Sequence, residues 1–205
     1  MIVSSGKCFL FVHIPKTAGS SIFQALKQYN DAPDTNENRH FDLLAICERY
    51  AHLGFHSGCK DHGRIQRLNH PLGPLGHFFK FAFVRNPWDR VVSMYGYLLQ
   101  NRELTEDISF HEFVMKRHRH PFGLYREQVN FLEDQKGELA VDFIGRFENL
   151  QKDWETVENR IGMKRRLGHF KQTSHKIYKS YYNQELIDQV AKIYPRDIAE
   201  LGYDF

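Results

Sequence analysis

Twice in this chain an apolar run breaks off at a polar loop and gives way to a helical pattern, which narrows the fold more than any other feature. Residues 8–14 (CFLFVHI) stop at Pro15 and are followed by Lys16-Thr-Ala-Gly-Ser-Ser21, then by Ile22, Leu26 and Tyr29 at helical spacing. Residues 78–84 (FFKFAFV) stop at Arg85-Asn-Pro-Trp-Asp-Arg90, after which Trp88, Val91, Val92, Tyr95, Leu98 and Leu99 form one helical stripe. Short, nearly continuous apolar runs suit strands buried on both faces. Strands alternating with helices predict an α/β fold with a central, mainly parallel sheet flanked by helices. In such sheets ligands sit beyond the carboxyl ends of the strands, where both polar loops fall.

The spacing predicts further elements. Ser20 or Ser21 is placed to cap a helix reaching about residue 29, and Asn86 to cap one with Pro87 as its first residue. Helices are expected over 41–51, 109–116, 124–132, 150–161 and 184–199, with Pro195 bending the last or starting a new one. A short strand is expected over 141–146. Residues 30–38 read as a breaker-rich loop, and 52–76, dense in Gly and His, as irregular.

At 205 residues one domain, 1–205, is the simplest organisation. A content of 41% hydrophobic and 26% charged residues excludes a disordered chain. The net charge of +3 suits an anionic ligand and is too small to argue for nucleic acid. Cys8, Cys47 and Cys59 form no C-x-x-C pair, which points to reduced thiols in an intracellular protein. The run 8–14 is too short to span a bilayer, so no membrane anchor is expected in this chain.

The first loop has the makings of an anion cradle. Unpaired N–H groups at a helix start converge on one point, and Lys16 adds a full charge. It is not the nucleotide-binding G-x-x-x-x-G-K-[ST] loop, because the first Gly is missing and Lys16 precedes Gly19. The bland alternative is a glycine turn with a solvated lysine. In the second loop, Arg85 can grip a phosphate bidentately. Ser93 lies about 140° from the centre of the apolar stripe, off the core face. Here the bland alternative is Arg85 paired with Asp89 beside an ordinary surface serine. His52, His56, Cys59 and His62 have spacings a zinc ion tolerates, but their order is unusual and no metal site is assigned. The basic run 116–120 reads as a solvated face or a steering patch for an anionic glycan.

Together FVHIPKTAGSSI (11–22), FKFAFVRNPWDRVVSMY (79–95), VDFIGRFENLQKDW (141–154) and DIAELGYDF (197–205) resemble the membrane-associated type of carbohydrate sulfotransferase, the group of the heparan sulfate 2-O- and chondroitin/dermatan enzymes. The resemblance covers nearly the whole chain and implies a P-loop-like fold. It implies PAPS (3′-phosphoadenosine 5′-phosphosulfate) as sulfuryl donor, PAP as product, and a hydroxyl-bearing glycan or small-molecule acceptor. It further implies that Lys16, Thr17, Ala18, Gly19, Ser20 and Ser21 cradle the 5′-phosphosulfate and that Arg85 and Ser93 hold the 3′-phosphate. A histidine between the two loops would be the catalytic base. His40, just before a helix, matches that position best, with His52, His56, His62, His70 and His77 as competitors. The stretch 167–174 departs from the family pattern, leaving donor contacts from Lys171 or Thr173 unassigned. A soluble, cytoplasmic enzyme of bacterial type is expected, or a Golgi-luminal one if an anchor has been removed. Two other readings stand beside it: a P-loop-type small-molecule kinase, and a non-catalytic PAP- or glycan-binding module.

Overall fold

The computed structural model describes residues 1–32, 41–55, 70–105, 107–116, 126–165, 167–168 and 177–205. In chain order its elements are β1 (Ile2–Ser4), β2 (Phe9–Val12), α1 (Gly19–Leu26), α2 (Leu43–Arg49), α3 (Ala51–Phe55), β3 (Phe79–Val84), α4 (Pro87–Gln100) and α5 (Phe110–Lys116). Then follow β4 (Phe143–Arg146), α6 (Leu150–Ile161), α7 (Gln184–Ile193) and α8 (Pro195–Leu201). The chain packs as two compact units, Met1–Val84 with Asn130–Phe170, and Arg85–Val129 with Lys171–Phe205.

The first unit holds a four-stranded sheet in the order β1-β2-β3-β4. β2, β3 and β4 run parallel, with Val12 opposite Ala82 and Val84 opposite Arg146. β1 pairs antiparallel to β2, an edge strand that the apolar-run pattern does not announce. Because strand side chains alternate in direction, Phe9, Phe11, Phe81 and Phe83 share one face. There they pack with Ile22 and Leu26 of α1 and Trp154, Val157 and Ile161 of α6. Phe11 and Phe81 stack with centroids 5.3 Å apart. Each such ring, fully buried, contributes about 1.5–3 kcal/mol. Phe78, Phe81 and Phe83 are therefore core, as is Trp154, whereas Phe79 and Phe147 are only half-buried.

Lys80 interrupts that apolar strand and is itself buried. Its ammonium donates to the carbonyls of Gly76 and Phe78, each at 2.8 Å, and pairs with Asp142 at 2.8 Å. Asp142 also accepts the Lys80 N–H at 2.7 Å and donates its own N–H to the Lys80 carbonyl, so the strand charge is fully used. Cys47 is a free, buried thiol whose pKa burial pushes up to about 12, with the Lys80 charge pulling it back. Cys8 is disulfide-bonded, so the expectation of reduced thiols fails there; Cys59 lies outside the described residues.

The second unit is helical. Asn86 caps α4 as expected, its Oδ1 accepting from the N–H groups of Trp88 and Asp89, with Pro87 in the first turn. Phe205 lies edge-on against Trp88, Tyr178 and Tyr182, and the Tyr182 hydroxyl donates to the Trp88 carbonyl at 2.8 Å. Pro195 starts a separate helix instead of bending one. The helix expected over 124–132 is not formed among its described residues, 126–132, where only Val129–Phe131 make a single 3-10 turn. Among the described residues no helix is long and apolar enough to cross a membrane.

Candidate functional site

The loop after β2 is built from left-handed backbone. Lys16 has φ 71° and Ala18 φ 67°, while Thr17 between them is not left-handed. Alternation of this kind turns successive N–H groups toward one concavity, an anion nest. Each non-glycine residue held there costs about 1–2 kcal/mol, and three local bonds hold the loop. The buried Thr17 hydroxyl donates to the Ile14 carbonyl at 2.9 Å, and the Ala18 carbonyl accepts the N–H groups of Ser21 and Ile22. The N–H groups of Thr17, Ala18, Gly19 and Ser20 donate to no acceptor among the described residues. Lys16 is half-buried at the mouth of this loop and Ser20 is exposed.

Two expectations change here. Neither Ser20 nor Ser21 caps α1: the cap position is Ala18, no side chain caps it, and both serines lie inside the first turn. The N–H of Ser21 is committed to Ala18, which narrows the nest to the four preceding groups.

Gly19 is required by space. A Cβ there would sit 1.8 Å from Cδ2 and Nε2 of His13, whose ring is buried and stacked on Phe11 at 5.9 Å. Gly19→Ala is expected to cost about 1–3 kcal/mol by overpacking. Chemical denaturation reads this as a lower midpoint at unchanged slope, and an unshifted midpoint contradicts the packing argument.

Arg85 is the first residue after β3 and is 5% exposed. Its Nε donates to Asp89 at 2.7 Å, so the pairing of the bland alternative does form and orients the guanidinium. Ser93 departs from expectation. It is 2% exposed, because α4 is buried around most of its circumference from Pro87 to Met94. Its hydroxyl makes no hydrogen bond among the described residues.

Below Arg85 lies a buried network that local sequence does not reveal. The Gln128 side chain accepts the Arg85 N–H at 2.9 Å and donates to the Arg85 carbonyl at 2.8 Å and to Asp197 at 3.1 Å. Asp197 also accepts the Val129 N–H at 3.0 Å and faces Arg90 at 3.9 Å. Burial pushes the Asp197 carboxyl upward in pKa, and the Arg90 charge opposes this. Asn86 donates to the Asp204 carbonyl at 2.8 Å. The stretch 197–205 thus buttresses the Arg85-Asn-Pro loop. The one sequence signal for it was its place among the family-like segments.

His40, His56, Cys59, His62, residues 117–120, Lys171 and Thr173 lie outside the described residues. Asp42, two residues after His40, caps α2 by accepting the Ala45 N–H at 2.9 Å. No group of three metal-ligating side chains occurs among the described residues.

A mainly parallel sheet with an anion nest after its second strand defines an α/β protein of P-loop-like fold. The sequence matches the sulfotransferase family over residues 1–204, and the chain belongs to that family. In fold it is similar to the crystal structure of a sulfotransferase from Alicyclobacillus acidocaldarius, with TM-score 0.51 and 17% identity over 97% of this chain and 96% of that one. An uncharacterized protein of Archaeoglobus fulgidus is 35% identical over 86 residues, 42% of this chain and 69% of that protein.

Proposed function

We propose that this protein transfers a sulfuryl group from PAPS to a hydroxyl of a carbohydrate or smaller acceptor, both units working as one sulfotransferase domain. The observation that carries the reading is the nest directly behind Lys16, whose four N–H groups have no acceptor among the described residues. The N–H groups of Thr17, Ala18, Gly19 and Ser20 take the non-bridging oxygens of the 5′-phosphosulfate, and Ser21 contributes through its hydroxyl. Arg85, oriented by Asp89, and the buried Ser93 hydroxyl take the 3′-phosphate.

Transfer is in-line. The acceptor oxygen forms the new bond to sulfur as the bond from sulfur to the bridging oxygen breaks, and PAP leaves with that electron pair. Lys16 neutralises the charge growing on the bridging oxygen. His40 takes the acceptor proton. Little else is needed from the protein, since such transfers depend mainly on positioning and charge stabilisation. A carbohydrate acceptor rests on the family-like segments alone. A soluble cytoplasmic location is likewise part of the proposal.

Calorimetric titration with PAP, ADP and ATP tests the donor. PAP should bind at least about tenfold more tightly than ADP, since only PAP offers a 3′-phosphate to Arg85 and Ser93. Equal affinities, or a preference for ATP, would favour the kinase reading. Tight PAP binding without transfer to any acceptor would leave a binding module.

A further inference from the structure

We propose that Gln128 is a positioning residue for the donor site, clamping the main chain of Arg85 while Asp197 dictates which way its amide faces. The inference rests on the reading that Arg85 holds the 3′-phosphate. Gln128 is fully buried and meets Arg85 from both sides, Oε1 accepting the N–H at 2.9 Å and Nε2 donating to the carbonyl at 2.8 Å. A primary amide presents an acceptor and a donor side by side, so it pairs with one residue's backbone much as a neighbouring strand does. Arg85 is the first residue past the end of β3, and there the amide replaces strand pairing.

Asp197 makes the clamp directional. Its carboxylate, fully buried, accepts the second Nε2 hydrogen at 3.1 Å and is held in turn by the Val129 N–H and Arg90. A carboxylate only accepts, so a flipped amide would set oxygen against oxygen. Arg85 is consequently tethered at both ends, by Gln128 at the main chain and by Asp89 at Nε. An arginine ordered before its ligand arrives loses less side-chain freedom on binding and meets the phosphate in one geometry.

The test compares Kd for PAP and for adenosine 5′-monophosphate, which has no 3′-phosphate, in the wild type, Arg85→Ala, Gln128→Met and the double variant. Gln128→Met should weaken PAP about tenfold and leave the monophosphate within about twofold. In the Arg85→Ala background it should weaken PAP no further, because the residue it acts through is gone. Asp197→Asn, which keeps the volume but sets its NH2 against either Gln128 Nε2 or the Val129 N–H, should show the same selective loss. It carries the test if Gln128→Met melts below the assay temperature. Equal losses for both ligands, or unchanged PAP affinity in these variants while Arg85→Ala still loses it, would overturn the proposal. Unchanged PAP affinity in Arg85→Ala itself would instead remove the 3′-phosphate reading on which it stands.

Discussion

Arg85→Ala should lose PAP binding by roughly 30- to 1,000-fold, the equivalent of about 2–4 kcal/mol, while binding of adenosine 5′-monophosphate should stay near wild type. The magnitude follows from burial. Arg85 is 5% exposed, and a charge-assisted contact made there is screened far less than one on a surface. Its side chain is also already committed in direction by the 2.7 Å bond from Nε to Asp89, so little ordering remains to be done on binding. Removing Arg85 leaves the Asp89 carboxylate, with a side chain 14% exposed, without that partner, and some loss of stability accompanies the loss of affinity. Arg85→Lys separates the two effects. It restores a charge beside Asp89 but lacks the planar fork, so it should recover stability more fully than PAP affinity. Calorimetry on both ligands with a melting curve for each variant decides the matter. A variant Arg85→Ala that binds PAP like the wild type removes Arg85 from the donor site.

Lys16→Ala should lower kcat by about 10²–10³ while PAP affinity changes by less than about tenfold. The asymmetry comes from when the charge appears. In the proposed complex the phosphosulfate oxygens would already face four backbone N–H groups, so one ammonium would add little to the ground state. As the bond to sulfur breaks, negative charge gathers on the bridging oxygen, and Lys16 is the cation that the proposal places there. Single-turnover transfer, which excludes product release, measures the step directly. His40→Ala in the same assay should cost about 10²–10⁴ and remove the acid limb of the pH–rate profile, whereas Lys16→Ala should retain that limb. An equal fall in kcat and in PAP affinity for Lys16→Ala would make Lys16 a binding residue only.

Several features were legible because their causes are local. Proline in a first helical turn and an asparagine before it mark the start of α4 whatever surrounds them, and Asn86 and Pro87 do so here. The chain from 150 to 161 forms a helix with the expected limits, and its apolar residues Trp154, Val157 and Ile161 reach the core. The mainly parallel sheet follows equally from two apolar runs that end in polar loops. Other features were not legible because their causes are distant. The segment 124–132 has helical spacing, yet Val129 gives its N–H to Asp197, a residue 68 positions away, and Gln128 turns its side chain to Arg85. The first of these bonds takes a backbone N–H from a helical ladder and prevails over it.

Local side-chain chemistry, then, was enough to place β2, β3, α4 and α6, and to single out Lys16 and Arg85 as cations standing at strand ends. Tertiary structure alone decided that Ala18 and not a serine begins α1, that Ser93 is buried, that an antiparallel strand closes one sheet edge, and that Gln128 and Asp197 stand behind Arg85. Propensity and periodicity act over a few neighbouring residues. A buried hydrogen bond is set by whichever partner the folded chain brings within about 3 Å, and no local pattern records that partner.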